Sequence, residues 1–269
     1  VNPEDYQRIE ENPDLTLLSQ PGLTVNGLTL PFEAEPFTDV RVRQAVNYAV
    51  NKDEMSEFLY KNAAVTAATG MPPILMGYPA DLEPFPYDPE MAKHLLADAG
   101  YADGFDFKLL CYENPRGYNP VGIKMAVAIQ EYLAEVGVNL ELETLEWGAF
   151  LETRRSADNQ DMGMAGWSGD NGDPDNFLYE MFSTDMIPVG NTSHYSNPEL
   201  DEILITARTV TDPAERARLY EQASTIIHDD AAWLFVNHTL HVRATRANVE
   251  GFALNPLQMF WYMEDVELK

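Results

Sequence analysis

The 269-residue sequence predicts an α/β fold, in which helices cover the faces of a β-sheet. Strand-like and helix-like patterns alternate along most of its length. Apolar residues make up 45% of the chain, which is enough for a packed core, and no run of about 18 apolar residues indicates a membrane span. The length suits one large domain or two modest ones.

Local signals support the individual elements in order. Asp88 and Pro89 are typical of a helix N-cap and first helical position, and Gly100 is typical of the residue that follows a helix. Alternating apolar and polar residues at 138–143 predict a half-buried strand. The expected elements are a helix at 3–11, a strand near 14–19, a helix after Thr38 or Asp39, a helix at 88–100, a strand at 105–112, a helix at 121–136, a strand from 138, a helix at 147–155, a strand at 161–167, a helix within 174–182, two helices within 198–230, and a strand pair near 231–245 and 249–257.

The formal net charge of -27 limits the partners. Such a charge repels nucleic acid phosphates and anionic lipid, so we expect no nucleic acid partner. The surplus is interpreted as a solvated surface suited to a salty medium. Selective attraction of cationic ligands remains an alternative.

The sequence lacks the motifs in which histidine, cysteine, serine and glycine usually support catalysis or metal binding. No histidines or cysteines have metal-ligand spacing, and neither a phosphate-binding glycine loop nor a G-x-S-x-G turn occurs. The one cysteine, Cys111, shares a strand face with Phe105 and Leu109, which predicts a buried small side chain. We therefore predict no metal, no cofactor and no enzymatic activity. With 44 acidic residues, a carboxylate pair of the glycosidase kind stays open as an alternative.

The stretch GWSGDNGDPDNF, residues 166–177, gathers acidic and amide side chains directly after a predicted strand. A calcium-binding EF-hand frame from Asn171 fails because the required glycine and glutamate are absent, although a looser calcium site stays open. Ligands of open α/β sheets bind where loops leave the carboxyl ends of strands, so we expect Asp170 to face a crevice. An Asx turn is the alternative for Asp170, whereas Asp173 or Asp175 is expected to cap the next helix.

A second loop, CYENPRGYNP, follows the predicted strand at 105–112 and precedes a helix. Arg116 lies in it among proline, glycine and tyrosine, where a solvated surface arginine is the plain alternative to a ligand-binding one. In a parallel sheet the loops carrying Arg116 and Asp170 would leave the sheet at the same edge.

Four segments together carry a resemblance to a known family. These are FTDVRVRQAVNYAVNKDEM, YDPEMAKHLLADAGY, LEWGAFL and GWSGDNGDPDNF. They resemble the dipeptide-binding proteins of bacterial ABC importers, in the peptide/nickel class (family 5) of extracytoplasmic solute-binding proteins. The resemblance covers nearly the whole chain, but the cysteine pair that often follows the last segment in the family is absent here.

The resemblance implies two α/β lobes that close on a ligand about a hinge, of which this chain would be the C-terminal part. Residues 34–237 would form one periplasmic-binding-protein-like lobe, a mixed sheet flanked by helices. Residues 1–33 would be a remnant of the other lobe with a hinge strand, and 238–269 the return crossing and the C-terminal part of that lobe. The signal peptide and N-terminal half would lie outside this chain.

The resemblance also implies the site. Asp170 matches the acid that pairs with the α-ammonium of a peptide, and Arg116 matches the arginine that pairs with its α-carboxylate. Those two ends of a dipeptide lie roughly 7 Å apart, so one charge at each end fixes both polarity and length. Trp167, Tyr118 and Asn119 are lesser candidates for lining the site, with packing of the two loops as the alternative.

The expected function is that of a monomeric, periplasmic substrate-binding subunit that captures dipeptides by lobe closure and delivers them to a membrane permease. This chain alone is expected to bind weakly, because half of the enclosure would be missing. Alternatives are the same class with an oligopeptide, nickel chelate or haem cargo, or a carboxylate-based hydrolase.

Overall fold

A computed structural model describes residues 1–257 and 263–269. The strands are β1 (Leu15–Pro21), β2 (Thr24–Thr29), β3 (Ala64–Thr66), β4 (Phe105–Tyr112), β5 (Val138–Leu145), β6 (Met162–Ser168), β7 (Trp233–Arg246), β8 (Val249–Glu250) and β9 (Glu267–Leu268). The helices are α1 (Tyr6–Glu10), α2 (Val40–Ala49), α3 (Lys52–Phe58), α4 (Pro89–Asp98), α5 (Ile123–Glu135), α6 (Trp147–Arg154), α7 (Asp175–Phe182), α8 (Pro198–Thr209) and α9 (Pro213–Asp229). The predicted α/β class is confirmed.

Most of the strands form one mixed sheet of seven strands, in the order β1-β7-β2-β6-β4-β5, with β3 also paired to β7. β4 runs parallel to both β5 and β6, whereas β2 and β7 run antiparallel to their partners. The expectation of a mixed sheet flanked by helices is therefore correct.

β4 and β6 stay paired over only two positions, Leu109 with Met162 and Leu110 with Gly163. Beyond this point β6 continues beside β2, and β4 continues beside β5 to Tyr112. The two parallel strands therefore diverge toward their carboxyl ends. The loops that follow them leave the sheet at the same edge, as predicted.

Helix ends follow the predicted chemistry. Asp39 caps α2 by accepting a hydrogen bond from the backbone N–H of Arg41 at 2.8 Å. Asp88 caps α4 through the N–H of Met91 at 2.9 Å. Gly100, just beyond α4, has a φ of +94°, a left-handed conformation that side chains disfavour.

The core lies on both faces of the sheet. On one face α2, α4 and α5 pack against apolar side chains that include Leu28 and Met164. On the other face α7, α8 and α9 pack against side chains that include Val25 and Ala165. Met164 and Ala165 serve opposite faces because successive strand residues alternate. Burying each large apolar side chain contributes about 1.5–3 kcal/mol.

The C-terminal strand pair differs from the prediction. β7 is a single 14-residue strand, as the pattern at 231–245 suggests. The expected partner at 249–257 is wrong, because only Val249–Glu250 are extended in a ladder and they pair with Glu267–Leu268. Asn255 and Pro256 instead form non-ladder contacts, with the Pro256 carbonyl accepting from the N–H of Leu23 at 3.3 Å.

The division of the chain at residues 33 and 237 stays a prediction. β2, which belongs to the predicted segment 1–33, is fully buried between β6 and β7. Part of the predicted segment 238–269, residues 258–262, lies outside the described residues. Among the described helices, none combines the length and apolar character needed to cross a membrane.

Candidate functional site

A cavity of about 270 Å³ lies where β4 and β6 diverge. Its walls come from the loop after β4, from α6, from the end of β6 and from the segment after α7. Four of the five predicted site residues line it, namely Arg116, Tyr118, Trp167 and Asp170. This is the position at which open α/β sheets bind ligands.

Arg116 is held by an aromatic surface and has no charged partner within residues 1–257 and 263–269. Its guanidinium carbon lies 3.5 Å from the ring centroid of Trp147 and 5.9 Å from that of Tyr112. In the described part of the chain its side chain has no hydrogen-bond or ion-pair partner, and its Nε is buried. Stacking on a ring leaves the N–H donors at the guanidinium edge free, so the group is oriented to receive a planar anion.

The loop that carries Arg116 is a tight turn. Arg116 and Asn119 exchange two backbone hydrogen bonds, at 2.9 and 3.0 Å. The fully buried Asn119 amide donates to the Tyr112 hydroxyl and to the Gly122 carbonyl, both at 3.1 Å. Asn119 does not line the cavity, and its contacts are those of a residue that braces the loop.

Asp170 follows β6 by two residues and its side chain is exposed. Its backbone N–H donates to the Asn176 Oδ1 at 2.8 Å, and the indole Nε1 of Trp167 donates to the same oxygen at 3.1 Å. The Asp170 carboxylate has no partner among the described residues. One amide oxygen at the start of α7 therefore positions two cavity residues.

Close packing fixes the path of the loop after β6. A Cβ at Gly169 would lie 2.8 Å from a ring carbon of the buried Phe177. The N–H of Gly169 donates to the Leu23 carbonyl at 2.8 Å. A side chain at this position would push the loop, and Asp170 with it, away from the sheet.

The other two acids of the loop lie outside the cavity. Asp173 forms two hydrogen bonds with Arg216, at 2.7 and 2.8 Å, and accepts one from the N–H of Asp175 at 2.9 Å. Burial alone would raise the pKa of Asp173, but these hydrogen bonds lower it below its ordinary value. Asp173 was expected to cap α7, but the N-cap position is Pro174, and Asp173 lies one residue before it with its carboxylate on the N–H of Asp175, the first residue of the helix. Asp175 has the Nε of Arg208 3.3 Å from its Oδ1.

Tyr118 forms one wall of the cavity and packs its ring against Gly166 of β6. A Cβ at Gly166 would overlap its ring, so glycine at this position admits the tyrosine. Burial raises the pKa of Tyr118, while the nearby guanidinium groups of Arg154 and Arg116 act in the opposite direction. Both arginines therefore lie within electrostatic range of one hydroxyl.

Sequence reasoning missed Arg154, the last residue of α6. It is nine-tenths buried, lines the cavity, and its Nε has no hydrogen-bond partner in the described residues. Burial lowers the pKa of its guanidinium. The sequence TRR at the end of a short helix is typical of an exposed surface, so it gave no signal of a buried group.

Two further residues missed from the sequence act on the site indirectly. Trp147 supplies the surface on which Arg116 stacks, and Asn176 holds Trp167 and Asp170. Both lie in segments, LEWGAFL and GWSGDNGDPDNF, on which the family resemblance rests.

The site offers charges and aromatic surfaces. Across residues 1–257 and 263–269, no three His, Cys, Asp or Glu side chains converge as metal ligands would. The Cys111 thiol is buried in the core, which raises its pKa to about 12. The predicted burial of Cys111 is confirmed.

Residues 1–187 match a family model described as bacterial extracellular solute-binding proteins, family 5 middle. The chain is 38% identical to the dipeptide-binding protein of Escherichia coli (strain K12), over 95% of the chain and 48% of that protein. It is 37% identical to heme-binding protein A of Haemophilus influenzae, over 95% of the chain and 46% of that protein.

Among solved structures, the chain is similar to the ABC transporter-associated periplasmic binding protein DppA of Helicobacter pylori, determined in complex with peptide STSA. The TM-score is 0.86 and the identity 33%, over 99% of the chain and 51% of that protein. The chain thus spans about half the length of the proteins it matches.

Proposed function

Because the chain belongs to family 5 of the bacterial extracellular solute-binding proteins, we propose that it forms part of the substrate-binding subunit of an ABC importer for dipeptides. In this proposal it works outside the inner membrane, as a monomer, and hands its ligand to a membrane permease. It carries no catalytic activity of its own. The relative from Escherichia coli, named a dipeptide-binding protein, supports the choice of ligand.

One observation carries the proposal. The cavity contains a guanidinium and a carboxylate, those of Arg116 and Asp170, and neither has an ionic partner in the described residues. They are not paired with each other. A dipeptide is a zwitterion, so its carboxylate would satisfy Arg116 and its ammonium would satisfy Asp170.

The same arrangement would favour short peptides over long ones. The charged ends of a dipeptide lie roughly 7 Å apart, and each additional residue adds about 3.3–3.6 Å. Two fixed charges can satisfy both ends of only one length. Enclosure by a second lobe would exclude water and strengthen both ion pairs, and a ligand that lacks one end would leave a buried charge unpaired.

Chemically blocked peptides test the proposal. Calorimetry on the protein in its natural length should give an affinity for Ala-Ala about 100-fold higher than for N-acetyl-Ala-Ala or for the C-terminal amide of Ala-Ala. Ala-Ala-Ala should bind more weakly than Ala-Ala. Equal binding of the free and both blocked dipeptides would rule out recognition of the peptide ends.

The variant Arg116→Met tests whether Arg116 binds the carboxylate of the peptide. Arg116→Met keeps an apolar stem on Trp147 and removes the charge. We expect it to bind the acid and the amide of Ala-Ala within about threefold of each other, because the group that distinguishes them is gone. If Arg116→Met still favoured the acid by 100-fold, another residue would hold the carboxylate.

Haem is the second candidate ligand, because the chain is 37% identical to heme-binding protein A of Haemophilus influenzae. The aromatic side chains Trp167 and Tyr118 would offer apolar surface to a large planar ligand. Titration with haem should leave the Soret absorbance of the free compound unchanged if dipeptides are the cargo. A spectral shift that competes with Ala-Ala would favour haem.

A further inference from the structure

Arg154 is a buried cation to which the proposed function assigns no role. It lines the cavity and is nine-tenths buried. Its Nε has no hydrogen-bond partner, and no carboxylate among the described residues lies within ion-pair distance of its guanidinium. A buried charge without a partner costs several kcal/mol unless something compensates it.

Packing contacts hold the Arg154 side chain in a defined position. Its aliphatic stem lies over β6 at Gly163, where a Cβ would come 3.7 Å from the Arg154 Cδ. Its guanidinium carbon is 6.0 Å from the ring centroid of Phe150. The stem is therefore held by the sheet and the helix, and a ring contact at that distance leaves its N–H donors available.

The location of Arg154 relative to Arg116 selects one part of the ligand. Arg116 stacks on Trp147, the first residue of α6, and Arg154 is the last residue of the same helix, so both guanidinium groups lie at the α6 side of the cavity. Asp170 lies on the loop after β6. If Arg116 holds the peptide carboxylate, the side chain nearest to Arg154 is that of the second residue.

We propose that Arg154 forms a side-chain subsite for a carboxylate, so that the protein favours dipeptides whose second residue is aspartate or glutamate. The inference rests on the proposed dipeptide function. A carboxylate accepts two hydrogen bonds from a guanidinium in one plane, which an amide of the same shape cannot do with equal strength. Arg155, the next residue, also lines the cavity but is exposed, so solvent screens its charge.

Isosteric peptides test this subsite by calorimetry on the protein in its natural length. Ala-Glu should bind about tenfold more tightly than Ala-Gln, because charged hydrogen bonds exceed neutral ones. Glu-Ala and Gln-Ala should bind within about threefold of each other, since the first side chain lies away from Arg154. Equal affinities for Ala-Glu and Ala-Gln, or a preference confined to Glu-Ala, would overturn the subsite.

Matched variants attribute the preference to Arg154. Arg154→Met should reduce the ratio of the Ala-Glu and Ala-Gln affinities to about one while leaving the Ala-Gln affinity within about threefold. Arg155→Met should keep most of the ratio. A ratio that survives in Arg154→Met, or disappears in Arg155→Met alone, would contradict the assignment.

Failure of the subsite and failure of the proposed function are distinguishable. If Ala-Ala, Ala-Gln and Ala-Glu all bind with equal affinity, dipeptide capture stands and the subsite falls. If none of the three binds, dipeptide capture fails and the subsite fails with it. Because the wild-type ratio is measured without any variant, misfolding of Arg154→Met would not remove the test.

Discussion

Asp170 and Asp173 lie three residues apart in one loop, yet their surroundings are opposite. Asp173 is bound by both terminal nitrogens of Arg216 and by the first N–H of α7. Asp170 has an exposed carboxylate that contacts no partner in the described part of the chain, where its backbone N–H is held by Asn176. The difference shows that the acid already satisfied within the fold serves structure, while the unsatisfied one is available to a ligand.

The arginines differ in the same way as the two acids. Arg216 is committed to Asp173, whereas Arg116 and Arg154 reach the cavity without a carboxylate among the described residues. Whether a charged side chain already has an ionic partner, more than its residue type or its position in the motif, therefore separates the candidate cavity from the structure around it.

The strongest test of this contrast is Asp170→Asn. Affinity for Ala-Ala should fall about 100-fold, because the peptide ammonium would be enclosed without its counter-charge. The melting temperature of the free protein should stay unchanged, since the carboxylate has no ionic or hydrogen-bond partner to lose among the residues that the structure describes. Calorimetry and thermal unfolding measure the two effects, and an affinity loss below about 1 kcal/mol would refute an enclosed ion pair.

Lys52 is a buried charge outside the cavity, so it tests whether every buried charge without an ionic partner serves to bind a ligand. It is 3% exposed and does not line the cavity, and its hydrogen bonds within the described residues are long, to Asn47 Oδ1 at 3.5 Å and to the Phe85 carbonyl at 3.4 Å. Burial lowers its pKa to about 7. We interpret it as a local cost to stability and not as a binding group.

Lys52→Met should therefore stabilise the protein by roughly 2 kcal/mol at pH 7. Between pH 7 and about 10.4 the unfolded chain holds a proton that the folded chain has released, so wild-type stability should rise with pH across that window. The variant should lose this rise, and the exposed control Lys93→Met should keep it. Urea unfolding at several pH values checks this, and a flat wild-type profile would contradict it.

Asp170→Asn should lower affinity and leave stability unchanged, whereas Asp173→Asn should lower stability and leave affinity unchanged. Its ion pair with Arg216 is part-exposed, with 38% and 18% of the two side chains accessible, so we expect a loss of only about 1 kcal/mol of unfolding free energy. Because the pKa of Asp173 is lowered, this difference should vanish as pH falls through that pKa. Affinity for Ala-Ala should stay within about threefold, and a larger change would mean that the two acids act as one unit.

Asn176 belongs to α7 but contacts two residues of the cavity. Asn176→Ala should have a smaller effect on affinity than Asp170→Asn. It removes the oxygen that holds the Trp167 indole and the Asp170 backbone. We expect affinity for Ala-Ala to fall about fivefold through looser positioning, with little change in unfolding free energy. An unchanged affinity would show that Asp170 keeps its place through the Gly169 contacts alone.

Sequence reasoning reached the framework and the anchors of the site for physical reasons. Caps such as Asp88 and alternating strands such as 105–112 depend on neighbours in the chain, and they appear where predicted. The positions of Arg116 and Asp170 after two predicted strands made them candidates, and the family resemblance assigned them to the two ends of a peptide. That both side chains bind ligand remains a prediction.

Tertiary contacts account for what the sequence could not predict. The burial of Arg154 depends on the space left beside Gly163 and on the divergence of β4 and β6, neither of which has a local pattern. β2, with sequence TVNGLT, lacks clear alternation and is a strand only because β6 and β7 enclose it. The prediction of a strand at 249–257 is wrong because the short extended part, Val249–Glu250, pairs with Glu267–Leu268 near the chain end.

The stacking of Arg116 on Trp147 has an optical consequence. The chain contains four tryptophans, and Trp147, Trp167 and Trp233 line the cavity. A cation 3.5 Å above an indole ring perturbs its excited state, and a carboxylate arriving at that cation would change the perturbation. Ligand capture should therefore shift the intrinsic fluorescence, so the protein would report its own occupancy without any attached label.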